Sequence, residues 1–365
     1  MTQTMRAFRM IDWSKPPQAE TVPVPAPGAG QVLVRVAGCG LCRSDLTMAR
    51  MPQGPGEKLG WAMPFTLGHE TAGWVAARGP GVRDVSEGDP VALAAATSCG
   101  TCWHCVRGLD NSCVLGLAGR GYGRDGGLAD YVLADRRALL PLGSLHPRHA
   151  GPLTDAGATA YHAVRRALPR IMSGGTVVVL GAGGLGAFAL QFLRQLTAAR
   201  IVAVDPAPDR LALAESYGTV PLPGVDDQTR RSLRQLVGGF GADAVLDFVG
   251  TDETIATGLA AVRAGGAYGL IGSAGGRLAT PWFSTLPRDG EVFTFQGGSI
   301  ADAQEVIALA QAGLIENIVE EFTFDQTEKA YKKLTNGRLS GRAVVLLTSE
   351  LDHPLPNADS SRVQS

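Results

Sequence analysis

The rhythm of apolar and polar positions changes near Ala156. Before it, short apolar runs such as QVLVRVAG (31–38), TAGWVAA (71–77) and DPVALAA (89–95) are separated by Gly- and Pro-rich turns. PVPAPGAG (23–30) reads as a polyproline-like loop. This texture predicts a mostly antiparallel, barrel-like β domain. After Ala156, near-continuous apolar strands alternate with helical stretches: TVVVLGAGG (176–184), LGAFALQFLRQL (185–196), RIVAVD (200–205), DAVLDFVG (243–250) and GAYGLIGSAG (266–275). Apolar strands interleaved with helices predict a parallel sheet covered on both faces. Beyond about residue 300 the pattern predicts one helix, ADAQEVIALAQAG, and one strand, RAVVLLTS (342–349), followed by a polar tail over 351–365. The chain shows no internal repeat.

A length of 365 residues accommodates two domains, each with its own core. Net charge is -1 and no long block of one sign occurs, so neither nucleic acid nor a membrane surface is an expected partner. No apolar run approaches the ~20 residues of a membrane span. The start, MTQTMRAFRMIDW, lacks the apolar centre of a signal peptide, which predicts a cytoplasmic protein. In that reducing compartment, clustered cysteines are more often metal ligands than disulfides.

Four of the six cysteines fall at Cys99, Cys102, Cys105 and Cys113, spaced Cys-x2-Cys-x2-Cys-x7-Cys. Four thiolates satisfy a tetrahedral zinc completely, which predicts a closed, structural site in a loop too polar to have a core. Free thiols or a disulfide pair are the bland reading. A zinc-ribbon module for nucleic acid is poorly served by Arg107 and Arg124, nearly the only basic residues around the loop. Cys39 and Cys42 form a Cys-x-x-Cys, but redox pairs of that kind sit where a strand enters a helix of a βαβ unit. Cys42 instead combines with His69 of LGHE and Asp155 of PLTDAGATAYHAV, a thiolate, an imidazole and a carboxylate able to hold zinc with one position open. Taken singly, His69 reads as a structural histidine and Asp155 as a helix N-cap. Glu70 is either a rival, transient ligand or an acid just outside the ligand set.

The stretch GAGGLG places Gly181, Gly183, Gly184, Leu185 and Gly186 between an apolar strand and a helix. In that context the glycines permit a tight turn and let a pyrophosphate approach the helix N-terminus. Asp205 ends the next strand 19 residues after Gly186, where an acid binds both ribose hydroxyls and repels a 2′-phosphate, favouring NAD over NADP. Arg210 lies five residues on.

GLCRSD, LGHE, the four-cysteine loop and GAGGLG occur in an order and spacing that resemble the zinc-dependent, medium-chain alcohol dehydrogenase family, over about residues 5–349. The resemblance implies an α/β fold in which a Rossmann doubly wound parallel sheet (156–299) is inserted into a GroES-like β-barrel catalytic domain (1–155, completed by 300–350). It implies two zinc ions per subunit, a catalytic one on Cys42, His69 and Asp155 and a structural one on Cys99, Cys102, Cys105 and Cys113. Aspartate at 155, where many members have cysteine, resembles the secondary-alcohol dehydrogenases. Ser44 would relay the alcohol proton, with Thr47 where some members carry a histidine. Asp45 would accept the second ring N–H of His69. Arg43 and Arg342 would neutralise the cofactor pyrophosphate, or else be solvated surface charges. Arg210 stands where similar enzymes keep a basic residue that contacts the ribose. Val249, Gly250, Ile271 and Gly272, with the segment 294–296, would hold the nicotinamide. Trp61 and Leu117 would line an apolar substrate pocket, or be plain packing. The implied activity is NAD-dependent hydride transfer between secondary alcohols and ketones or aldehydes. A polyol or amino-alcohol dehydrogenase and a zinc-free reductase-like relative are the alternatives. Association into a homodimer or homotetramer through the sheet edge near 292–296 is expected.

Overall fold

The computed structural model describes residues 3–13, 15–278 and 281–348, so the tail expected over 351–365 lies outside the described residues. The strand Gln31–Gly40 runs through the middle of the first sheet, and all of its residues but Gln31 and Arg35 are buried. A strand with so few polar positions needs cover on both faces and both edges. It pairs antiparallel with Glu70–Arg78 on one side and, on the other, with Tyr131–Asp135 along one half and Arg342–Leu346 along the other. The sheet runs in the order Leu139–Pro141, Pro90–Leu93, Glu70–Arg78, Gln31–Gly40, Arg342–Leu346, Val319–Thr323, with a parallel final pair. Register shifts between Leu33 and Val34 and between Val36 and Gly38 add the twist that lets such a sheet curl. A three-stranded sheet of Gln18–Pro23, Thr4–Met10 and Phe65–Thr66 contributes Phe8, Met10 and Phe65 to the same core as Val32, Val34 and Val36.

The second sheet is six-stranded and wholly parallel, in the order Val220–Pro223, Arg200–Asp205, Thr176–Leu180, Ala242–Asp247, Val262–Leu270, Glu291–Phe293. Alternate residues of its strands face opposite ways. Val177 and Val179 join one apolar cluster with Phe188 and Leu190, while Val178 and Val202 join another with Ile255 and Leu259. The strand order reverses between Thr176–Leu180 and Ala242–Asp247, and in open α/β sheets that reversal opens the ligand crevice. Helix Ala156–Ala167 belongs to the first cluster together with Ala72, Ala92 and Leu140, so the apolar core runs without a break from one sheet to the other.

After residue 300 the expected helix forms at Ile300–Gln311 and the expected strand at Arg342–Leu346. Between them lie a strand, Val319–Thr323, and a helix, Thr327–Thr335, that the apolar pattern did not predict. VEEFT buries one residue on an edge, and the stripe of TEKAYKKLT, Ala330, Tyr331 and Leu334, is short and set among four charged residues. Among the described residues no helix is long and apolar enough to cross a membrane.

Candidate active site

Strand register assembles the site. Cys39 pairs with Thr71 and Gly40 with Glu70. Continued past the strand ends, that register brings the Leu41–Cys42 corner beside His69. On the other side of the same strand Val344 pairs with Gly40, and the same continuation leads to Arg342 beside Cys42. Gly40 matters because it has no side chain: a Cβ there would lie 2.0 Å from Glu70 Oε2. Glu70 therefore reaches across the strand, where Arg342 Nη2 donates to its Oε1 and Nε approaches Oε2 at 3.4 Å. Glu70 is fully buried and Arg342 nearly so, hence this pair is shielded from water.

Asp155 immediately precedes helix Ala156–Ala167, yet its side chain makes no capping hydrogen bond. Its Oδ2 lies instead 3.6 Å from His69 Nε2 and 3.7 Å from Arg342 Nη2. One ligand atom each from Cys42, His69, Glu70 and Asp155 lies within 4.8 Å of the others. His69 turns Nδ1 toward Asp45 Oδ1 at 3.2 Å, which leaves Nε2 facing the cluster and 3.4 Å from Ser44 Oγ. Both His69 Nδ1 and Asp45 Oδ1 are buried without a well-directed hydrogen bond.

The charges around this point call for a cation. A Cys42 thiolate with Asp45, Glu70 and Asp155 would set four negative groups against one guanidinium in a largely dry space. Burial opposes protonation of His69, but the charge of Asp45 and the hydrogen bonds to Asp155 and Asp45 raise its pKa well above the ordinary value. Burial likewise pushes Asp155 up, and the His69 ring outweighs it, leaving the carboxyl below its usual pKa. A divalent metal in the same place would supply the positive charge the imidazolium otherwise provides. Sulfur, nitrogen and oxygen donors together suit zinc.

The four-cysteine loop is built from two short 3-10 turns, Cys105–Arg107 and Asp110–Ser112, and a left-handed Gly100 at φ 76°. Its sulfurs stand 3.5 Å apart for Cys102 and Cys105, and 3.9 Å for Cys99–Cys105 and Cys102–Cys113. Zinc–sulfur bonds near 2.3 Å give tetrahedral edges of about 3.8 Å, so a zinc ion fits without rearrangement. A disulfide needs sulfurs about 2 Å apart, and all six cysteines are free. The backbone N–H of Thr101, then its hydroxyl and the Cys102 N–H, draw the Cys99 thiol down to about 6, predisposing it to the thiolate a metal needs. Cys39 faces the other way. It is buried against Thr71 Oγ1 at 3.8 Å, burial pushes its thiol to about 12, and it is no partner for Cys42.

At the parallel sheet, Gly181 adopts φ 90° and a Cβ on Gly186 would come within 1.8 Å of the Gly181 carbonyl oxygen. Leu185 occupies the N-cap of helix Gly186–Leu196. Asp205 is buried at the end of its strand. Its Oδ2 accepts from Ala182 N at 2.9 Å, its Oδ1 from Ala207 N at 2.9 Å, and Arg210 Nη1 stands 3.6 Å away. Val249 and Gly250 donate to Asp247 Oδ1, and Ile271 and Gly272 donate to Asp247 O, so both segments crown adjacent strands. Gly250 and Gly272 touch backbone to backbone: a Cβ on Gly250 would lie 2.1 Å from Gly272 O. Gly183 and Gly184 lie in the same turn, and a Cβ on Gly184 would meet Arg342 Cδ at 2.8 Å.

The remaining expected residues are placed less centrally. Arg43, Ser44 and Thr47 are exposed on or beside the short helix Arg43–Met48. Trp61 is buried in the barrel core, edge-on to Phe65, and its indole donates to Leu117 O at 2.9 Å; the Leu117 side chain is exposed. Pattern reading missed the Gly40 gap and the Glu70–Arg342 pair, because neither residue type in isolation signals a partner 272 positions away.

Comparison with known proteins matches this arrangement. The family model described as Alcohol dehydrogenase GroES-like domain matches residues 28–144, and that described as Zinc-binding dehydrogenase matches residues 184–312. D-arabinose 1-dehydrogenase (NADP(+)) of Saccharolobus solfataricus is 33% identical over 344 residues, covering 93% of this chain and 97% of that protein. NAD-dependent alcohol dehydrogenase of Sulfurisphaera tokodaii is 33% identical over 352 residues, covering 94% and 100%. The solved alcohol dehydrogenase of Aeropyrum pernix is similar with a TM-score of 0.86 at 31% identity, covering 93% of this chain and 99% of that one.

Proposed function

Because the chain belongs to the zinc-dependent, medium-chain alcohol dehydrogenase family, we propose that it interconverts alcohols with ketones or aldehydes through Cys42, His69 and Asp155 as ligands of a catalytic zinc and the Gly181–Gly186 turn as the seat of NAD. It is an oxidoreductase acting on alcohols, with zinc and NAD as cofactors. Residues 1–155 and 300–350 form the zinc-holding part and 156–299 the NAD-holding part, and Cys99, Cys102, Cys105 and Cys113 hold a second, structural zinc.

One observation carries this reading. The Arg342 side chain touches both halves at once, with its Cδ against Gly184 of the glycine turn and its Nη2 3.7 Å from Asp155 of the ligand cluster. The turn that would seat the dinucleotide and the proposed metal ligands thus adjoin one side chain. When bound, zinc is a Lewis acid toward the substrate oxygen and NAD is the hydride acceptor. Ser44 Oγ accepts the substrate hydroxyl proton as it passes its own hydroxyl proton on, and Thr47, three residues along on the same face of the helix, extends that route to water. Asp45 keeps the proton of His69 on Nδ1, so that Nε2 stays a ligand. Glu70, held by Arg342, stays out of the ligand set. Asp205 accepts from the adenosine ribose, and Arg43 and Arg342 offset the pyrophosphate charge. Val249, Gly250, Ile271 and Gly272 confine the nicotinamide ring.

A secondary alcohol or its ketone is the favoured substrate, on the carboxylate ligand at 155, while Trp61 serves as core packing rather than as a pocket wall. Sugar or polyol oxidation is the second reading, favoured by the 33% identity to D-arabinose 1-dehydrogenase. The enzyme is placed in the cytoplasm, a reducing compartment in which clustered cysteines serve as metal ligands rather than disulfides. Trp282 and Phe283 stand 71% and 82% exposed in the segment leading to the edge strand Glu291–Phe293, an apolar surface suited to a second subunit in a homodimer or homotetramer. The test is a spectrophotometric screen of secondary alcohols, ketones, polyols and aldoses with NAD and NADH, beside metal analysis. Two zinc ions per chain are expected. Cys42→Ser should keep one zinc and the fold while losing more than ~100-fold in turnover, since even loss of a partner outside the ligand set costs 10–100-fold. Near-normal turnover in that variant would refute the assignment.

A further inference from the structure

A tyrosine from the far end of the chain reaches the carboxylate that backs His69. Tyr331 lies on helix Thr327–Thr335, and its hydroxyl donates to Asp45 Oδ2 at 3.3 Å. The same oxygen accepts the backbone N–H of Cys42 at 3.0 Å, while Oδ1 faces His69 Nδ1 at 3.2 Å. Asp45 is fully buried, so it draws its donors from protein groups. One carboxylate therefore holds the main chain of one metal ligand and faces the ring of another, and Tyr331 donates to it beside the Cys42 N–H.

We propose that Tyr331 is a positioning residue for the open zinc site, its hydroxyl fixing the Asp45 carboxylate so that His69 presents Nε2 to the metal. The proposal rests on Cys42, His69 and Asp155 being the ligands. A carboxylate has about four lone-pair sites and swings about its terminal bond unless donors hold it. With Tyr331 gone from Oδ2, Asp45 turns more freely, the imidazole loses its fixed orientation, and ligand geometry loosens. Partners of this outer kind typically change metal affinity 10–100-fold. Packing does not explain the contact. The Tyr331 ring stacks on Phe8 with centroids 6.0 Å apart and planes at 25°, an arrangement that a phenylalanine would keep.

The experiment compares zinc retention in the wild type, Tyr331→Phe and Phe8→Leu, each as the full zinc-loaded protein. Zinc release to the chelator 4-(2-pyridylazo)resorcinol is followed, and cobalt(II) spectra are recorded after exchange at the open site. Tyr331→Phe should give up its open-site zinc at about tenfold lower chelator concentration, with an altered cobalt band, while the four-cysteine zinc is retained as in the wild type. Phe8→Leu, which loosens the stacking but keeps the hydroxyl, should retain zinc as the wild type does. Equal retention and identical cobalt spectra in Tyr331→Phe and wild type would overturn the proposal. So would equal losses in Tyr331→Phe and Phe8→Leu. A wild type with zinc only at the four cysteines would overturn the ligand assignment itself, and the proposal with it.

Discussion

Asp205 serves two ends at once. Its carboxylate closes the glycine turn by accepting from Ala182 and Ala207, and it sets the charge where the cofactor ribose would lie. Two unit charges about 4 Å apart repel by on the order of 4 kcal/mol at the effective dielectric of a protein surface. If Arg210 and water screen half of that, Asp205→Gly should raise the NADP-to-NAD ratio of kcat/KM about 30-fold. The loss of two accepted N–H bonds should also lower the unfolding midpoint. An unchanged coenzyme ratio would remove Asp205 from the site. The residues of the cluster differ in how far their type announces them. His69 and Asp155 are ordinary residues taken singly, and it is their donor types occurring together with Cys42, rather than spacing, that grouped them as one ligand set. Gly40 and Tyr331 had no signal at all: one acts by lacking a side chain and the other through a hydroxyl 286 residues from its acceptor.

Elements were readable where the chemistry is local. Four cysteines within fifteen residues describe a metal loop wherever they fold, and strands apolar on both faces describe a parallel sheet. The polar strand Val319–Thr323 takes its place from its partner strand rather than from a pattern of its own, and helix Thr327–Thr335 was missed although Ala330, Tyr331 and Leu334 form a short stripe facing the core. Helix Ile300–Gln311 shows how one acid can fix an element. Asp302 accepts from Ser299 N and Oγ at its own helix start, from His162 Nδ1 at 2.8 Å, and from Arg165 Nη1 at 2.6 Å. Burial pushes Asp302 up, but His162 and Ser299 outweigh it and bring it from 3.8 to about 2. A depressed carboxyl stabilises the fold above its unfolded pKa and loses that contribution as pH falls toward the folded value. Asp302→Asn should therefore cost about 2 kcal/mol at neutral pH, and the deficit should shrink between pH 4 and pH 2. Denaturant midpoints measured across that range check it; a deficit independent of pH would mean the charge is not what binds the two helices.

At the scale of the whole molecule, the two sheets share one continuous apolar core through helix Ala156–Ala167, and Arg342 joins their polar centres. The exposed Trp282 and Phe283 belong to the outer rim of the parallel sheet. If the proposed subunit contact lies there, replacing both by glutamate lowers the native mass measured by light scattering; an unchanged mass would count against that contact. Finally, strand Arg342–Leu346 is inserted beside Gln31–Gly40, so the first sheet is finished by a strand made long after the one it pairs with. A nascent chain halted before residue 319 already has its four cysteines, His69 and Asp155. It has neither the guanidinium that restrains Glu70 nor the phenol that steadies Asp45. Newly made protein should thus capture zinc at the four cysteines early and become competent at the other centre only once the segment 319–346 has emerged.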